Sequence, residues 1–248
     1  MRTNYSSKNI VLAVAGDVSA RKLQKLVLSY CRKLNKGKCN EFLTYVNKQK
    51  RPFIKLKNKK IEQTHMAIGF KACSRLDPEK YKARLLSIIV GGNMSSRLFQ
   101  KIREKYGLAY AVNAHLNQYI DTGSFEIQTG IKNKNVCKAV QLIMKELKKI
   151  KQYGITAEEL KMAKEYIIGQ TVLSMENTKS SMIKIGENMI TLNRVVSLDE
   201  TLDQIKKVKI EDIQEIACRF FSPHNISLAM IGDCPDKKFI LETIECLQ

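Results

Sequence analysis

With 248 residues and 44% hydrophobic side chains, the chain can bury a proper core, either as one large domain or as one domain and part of another. No apolar run reaches the roughly 20 residues of a membrane helix, and the opening MRTNYSSKN lacks the apolar centre of a signal peptide, which leaves membrane insertion and export unsupported and favours a cytoplasmic chain without a membrane partner. The net charge of +19 raises nucleic acid as a partner, but the lysines are scattered rather than clustered, as on a solvated surface.

In chain order, residues 9 to 15 alternate and are β-branched, which predicts a strand. Ser19 then opens an amphipathic helix to about Leu34, with Leu23, Leu26, Val27 and Tyr30 as its buried stripe. Residues 35–60 contain the run NKQKRPFIKLKNKK and read as a basic linker. From Ile61, IEQTHMAIGFKA reads as a strand. Asp77-Pro78 caps a helix that runs to Gly91-Gly92, and a shorter helix begins near Ser95. LAYAVNAHLNQY and GSFEIQTGI, joined by Ile120, Asp121 and Thr122, form a hairpin. Helices follow: one capped by Asn133, one with a Thr156/Glu159 capping box and one with a Ser197/Glu200 box, then KIEDIQEIACRFF. A strand NISLAMIGD and a helix from Pro235 close the series. Antiparallel strands with helices grouped after them predict an α+β fold, its antiparallel sheet covered mainly on one side.

Two segments are near copies: NIVLAVAGD from Asn9 to Asp17 and NISLAMIGD from Asn225 to Asp233. Each follows an aromatic-Ser pair and precedes a helix. The repetition marks the ends of two equivalent units, of which residues 1–34 hold only the terminal strand and helix of the first, while 61–248 hold the whole of the second. Seven cysteines, widely spaced and without a Cys-x-x-Cys pair, read as reduced thiols.

The stretch Val90 to Val112 carries the most information. Gly91-Gly92-x-Met94-Ser95-Ser96-Arg97-Leu98-Phe99 and Ile102-Arg103-Glu104-Lys105-x-Gly107-Leu108-Ala109-Tyr110 resemble the second half of the insulinase/pitrilysin family of zinc peptidases, the inverted zincins, which include the mitochondrial processing peptidase. EQTHMAIGF, GITAEELKMAK and FSPHNISLAMIGD agree. The resemblance implies two homologous α+β domains facing each other across a chamber, the first binding zinc through H-x-x-E-H. The histidines here, His65, His115 and His224, stand alone in HMAIG, HLNQY and HNISL, so no metal ligand is expected in this chain and zinc is expected in the missing or partner catalytic domain.

The same resemblance implies a role for an arginine and a tyrosine seven residues apart, matched by Arg103 and Tyr110, in holding a peptide backbone and polarising the scissile carbonyl. Gly91 and Gly92 match a glycine-rich substrate loop, with Asn93 where a third glycine often stands. The expectation is therefore the non-zinc wall of a peptide-binding chamber, inactive alone, with a peptide substrate and a zinc-bearing homologous domain or subunit as partners. A non-catalytic structural subunit of the same fold and a basic nucleic-acid-binding module are the alternatives.

Overall fold

The computed structural model describes residues 5–32, 34, 35, 37 and 42–247. They fall into two compact units: Val46–Ile167 with Asp203–Gln248, and Met1–Tyr45 with Ile168–Leu202.

The larger unit is built on a five-stranded sheet of order β1-β5-β2-β4-β3, with β1 Phe53–Asn58, β2 Gln63–Ala72, β3 Ala109–Gln118, β4 Gly123–Lys132 and β5 Ile226–Gly232. The predicted strands form as an antiparallel β5-β2-β4-β3 array. The linker reading fails over Phe53–Asn58, which pairs in parallel with β5. The physical reason lies in FIKLKN itself: Ile54 and Leu56 align with the buried Leu228 and Met230, while Lys55 and Lys57 point to solvent. A lysine-bearing strand is a suitable sheet edge, because its charges discourage further pairing.

Strict alternation divides the sheet into two faces. Met66, Ile68, Phe70, Phe125, Ile127, Leu228 and their neighbours are buried on one. Helices α2 (Lys80–Ser87), α3 (Val136–Tyr153) and α7 (Ile210–Phe220), together with α8 (Lys237–Glu245), supply the core against them. Phe221 anchors this layer, its ring edge-on to Phe70 at 5.1 Å and to Phe125 at 5.2 Å, a geometry favoured by ring quadrupoles. The other face of the sheet is exposed.

Helix α4 (Ala157–Glu176) opens as its sequence predicts. Glu159 N–H donates to Thr156 Oγ1 at 3.2 Å, and Thr156 N–H donates to a Glu159 carboxylate oxygen at 2.8 Å. Helix α6 (Leu198–Lys207) repeats the device in half, with Glu200 N–H donating to Ser197 Oγ at 3.0 Å.

The smaller unit joins helix α1 (Ala20–Cys31) and the opening segment to α5 (Thr178–Leu192) and the residues around it. The strand expected over residues 9 to 15 does not form: Asn9 ends a 3-10 turn (Ser7–Asn9), and residues 10–15 have no regular structure and join no ladder with any described strand. A strand needs a neighbour to satisfy its backbone groups, and here the segment meets a helix instead: a Cβ placed on Gly186 of α5 would lie 3.2 Å from that of Ala13. The predicted stripe of α1 is not buried either, since Leu26 is 55% and Tyr30 81% exposed. Among the described residues, every buried apolar side chain belongs to the larger unit.

Candidate functional site

Helix α2 runs into a wide π-helical turn, Ile88–Gly92, which packs beside β3. Gly91 makes that approach possible: a Cβ there would lie 2.7 Å from the backbone nitrogen of Ala114 and 2.9 Å from its Cβ. Gly91 is therefore buried, while Gly92 is exposed. Asn93 serves without being glycine because its side-chain oxygen accepts the Ser95 N–H at 3.0 Å, closing the turn.

The next helical segment, Phe99–Lys105, is again π-helical. It ends at Gly107, whose φ of 57° lies in the left-handed region, and the Leu108 N–H reaches back to the Ile102 carbonyl at 2.9 Å. This reversal brings β3 back alongside the helix that precedes it. Tyr110 is then the extra residue of a β-bulge, since Ala109 faces Ile131 and Ala111 faces Gly130. Bulges re-aim side chains, and Tyr110 and Ala111 are both exposed although adjacent.

The outcome is a compact stack. The Arg103 guanidinium carbon lies 4.8 Å from the Tyr110 ring centroid and 4.8 Å from that of Phe99, within cation–π range on both sides. Tyr110 is 79% exposed, and its phenol is presented outward. The two residues predicted to act together are thus side by side. Gly91 and Gly92 flank the same strand from the preceding turn.

Arg97 ties the segment between the two π-helical turns to the start of α4, a contact the sequence did not signal. Its guanidinium donates to both Glu159 carboxylate oxygens, at 2.5 and 2.7 Å, and to the Gly154 carbonyl at 3.2 Å. Burial pushes the Glu159 carboxyl up, but the Arg97 hydrogen bonds and charge and the Thr156 N–H outweigh it and hold the group below its ordinary value.

On its exposed face the sheet carries a shallow trough of about 590 Å³. Its floor is made of small residues, Ala67, Ala111, Gly130 and Ala229, and its polar walls include Lys55, Gln63, His65, Asn113 and Gln128. Tyr110 stands at the β3 end. These polar residues follow from the period-2 pattern of their strands.

His65 and His115 lie on this face but in different cross-strand rows, aligned with Gly130 and Glu126 respectively. His224 sits in the turn before β5. Zinc needs three or four converging N, S or O ligands, and among the described residues no group of three His, Cys, Asp or Glu side chains converges. These residues do not fit a zinc ion. The described cysteines are free thiols, and burial and the Asp77 charge push the Cys73 thiol up to about 11, far from a reactive thiolate. No helix of the described residues is long and apolar enough to cross a membrane.

Known proteins share this sequence and fold. Residues 1–167 match the family described as peptidase M16 inactive domain. An uncharacterised zinc protease of Bacillus subtilis is 32% identical over 233 residues, covering 94% of this chain and 56% of the relative. A peptidase M16 inactive domain from Pseudomonas fluorescens superposes with a TM-score of 0.86 at 20% identity, over 94% of this chain and 56% of that one. A chain of Complex III2 from Candida albicans superposes with a TM-score of 0.77 at 18% identity, over 92% and 57%. The chain thus spans about half the length of the curated relatives it matches. It belongs to the M16 peptidase family and has the fold and sequence of that family's C-terminal, inactive domain.

Proposed function

We propose that this chain forms the non-zinc wall of a peptide-binding chamber and takes part in peptide hydrolysis only when opposed by a zinc-bearing homologous domain or subunit. The observation that carries this reading is the Arg103–Tyr110 stack, which leaves Tyr110 exposed, in a chain of this family. The two side chains divide the work. Arg103 offers fixed N–H donors that hold the carbonyls of an extended backbone. Tyr110 donates its phenolic hydrogen to the scissile carbonyl oxygen as negative charge develops there, a contact that strengthens toward the transition state. Gly92 leaves backbone exposed beside the peptide, and Gly91 sets its distance from β3.

In the same reading, residues 1–34 are the terminal strand and helix of the zinc-bearing domain, and the second domain takes in β1 as well as 61–248. The near-copy of β5 at residues 9 to 17, left without a ladder among the described strands, supports this assignment. A second reading, a structural subunit that never cleaves, draws on the Candida albicans Complex III2 chain with the same fold. The pairing of a half-buried Arg103 with an exposed Tyr110 favours the peptide reading over it.

The test is reconstitution. The purified chain, mixed with the portion of the Bacillus subtilis zinc protease that it does not cover, is expected to cleave an unstructured peptide that neither half cleaves alone. Tyr110→Phe is expected to lower turnover by about 100-fold, the loss typical of one oxyanion donor. An unchanged rate removes Tyr110 from the mechanism, and stoichiometric zinc in the purified chain alone overturns the reading.

A further inference from the structure

Two residues outside the Arg103–Tyr110 pair hold it in place. The Arg103 guanidinium carbon is as near to the Phe99 ring as to the Tyr110 ring, 4.8 Å from each centroid. Phe99 precedes Arg103 in the same π-helical segment, whereas Tyr110 reaches the guanidinium from the start of β3. Among the described residues the carboxylate paired with Arg103 is that of Glu104, 3.6 Å from Nε, and both side chains are partly exposed. An exposed pair at that distance contributes little, and two aromatic faces in cation–π range outweigh it. The rings therefore decide where the guanidinium sits. Among the described residues no hydrogen bond occupies its N–H groups, and stacking leaves those in-plane donors free. Without the Phe99 ring, one stacking partner is lost and Glu104 draws the charge away.

The second anchor lies at the bulge. Tyr110 has no partner residue on β4, because Ala109 faces Ile131 and Ala111 faces Gly130. An extra residue disrupts the ladder locally, and a side-chain donor holds the backbone there: the Thr129 hydroxyl donates to the Ala111 carbonyl at 2.9 Å. Thr129 is buried on the core face of β4 with Phe125, Ile127 and Ile131. The core thus orients the hydroxyl, and the hydroxyl orients the backbone next to Tyr110.

We propose, on the peptide-hydrolysis reading above, that Phe99 and Thr129 are positioning residues: Phe99 sets the direction of the Arg103 donors, Thr129 sets the direction of the Tyr110 phenol, and neither touches the peptide. The consequences differ for the two. Arg103 holds carbonyls in the bound peptide and in the transition state alike, so misdirecting it weakens binding. Tyr110 acts as charge develops, so misdirecting it slows turnover.

The first measurement uses the chain alone. The Arg103 Nε–H nuclear magnetic resonance, identified by its loss in Arg103→Gln, is expected to carry an upfield ring-current shift that falls in Phe99→Leu and persists in Phe99→Tyr. An unshifted resonance, or one that Phe99→Leu leaves in place, overturns the role of Phe99. The second measurement uses the reconstituted cleavage reaction. Phe99→Leu is expected to raise KM about tenfold at nearly constant kcat, and Thr129→Val to lower kcat about tenfold at nearly constant KM. Phe99→Tyr and Thr129→Ser, which keep the ring and the hydroxyl, are expected to stay within about twofold of the unmodified chain. A loss of folded protein persists in any background, whereas a positioning effect vanishes once its target is gone. Thr129→Val is therefore expected to cost less than about twofold in the Tyr110→Phe chain, and Phe99→Leu less than about twofold in the Arg103→Gln chain. An undiminished loss in either background overturns the positioning role of that residue. If Arg103→Gln and Tyr110→Phe slow cleavage while Phe99→Leu and Thr129→Val do not, positioning fails and the peptide-hydrolysis reading stands. If Arg103→Gln and Tyr110→Phe leave cleavage unchanged, that reading fails and positioning falls with it.

Discussion

Arg97 and Glu159 form a two-pronged, largely shielded ion pair that ties the segment before Arg103 to the capping box of α4. Lysine offers a point charge in place of the planar fork, so Arg97→Lys is expected to cost about 2 kcal/mol in denaturant unfolding. Glu159, Glu79 and Asp212 all sit below their ordinary carboxylate values. For Glu79, as for Glu159, burial works against the shift, and the Arg219 and Lys82 partners overcome it; for Asp212 the Lys82 hydrogen bond leads. A depressed carboxyl stabilises the fold above the unfolded-state value and loses that contribution as pH falls through its folded value. The chain is therefore expected to hold its melting temperature from neutral pH down to about 5 and to lose it progressively below about 4.5. Glu159→Gln, which removes one such group, is expected to flatten that acid limb. At Gly91 the expectation is steric: Gly91→Ala meets backbone at 2.7 Å and should destabilise by about 2 kcal/mol or more, whereas Gly92→Ala, facing the Ile88 side chain at 3.2 Å, should be far milder. The capping box was legible because Thr156 and Glu159 are neighbours in sequence. The Arg97 pairing was not, because nothing local to Arg97 names a partner 62 residues away.

At the scale of elements, alternation and caps located β2 to β5 and most of the helices between them to within a few residues, since each carries its own periodicity; α5 was not among them, and Asn133, expected to cap α3, lies instead in a 3-10 turn with its side chain bonded to Thr64 and to the Ile61 carbonyl. Two elements show where that signal fails. FIKLKN has a clean strand pattern, but its lysines gave the surrounding run the look of a linker, and only the long-range partner β5 distinguishes an edge strand from a solvated one. Residues 10–15 have the better strand pattern and no ladder among the described residues. Local propensity is satisfied in both, and the availability of a neighbouring strand decides. Leu56→Ala is accordingly expected to destabilise by about 1 to 2 kcal/mol, because Leu56 aligns with the buried Met230, whereas Lys57→Ala is expected to stay within about 0.5 kcal/mol. Chemical denaturation of the two variants separates strand from linker. The π-helical widening before β3 and the bulge at Tyr110 were invisible in sequence, because both are adjustments that packing imposes on otherwise ordinary stretches.

At the scale of the molecule, the larger unit holds the core, and the smaller unit holds exposed apolar residues such as Leu12, Leu26, Leu28 and Tyr30. Unladdered amides lack the protection of sheet hydrogen bonds. Amides of residues 10–15 are therefore expected to exchange with solvent deuterium within seconds in the isolated chain, and those of Ile68 and Phe70 over hours or longer; slowing at 10–15 on adding the zinc-bearing partner would report a docked strand. The strand order has a consequence in time as well. Among the described residues β1 joins the sheet through β5 alone, and β5 is made after some 170 intervening residues have left the ribosome (roughly ten seconds or more of synthesis). Until then β2 presents an open edge to the cell, and β1 has nothing to join. A chain arranged this way closes its sheet last at the centre rather than at the rim, so its yield depends on what shields that gap while synthesis is finishing.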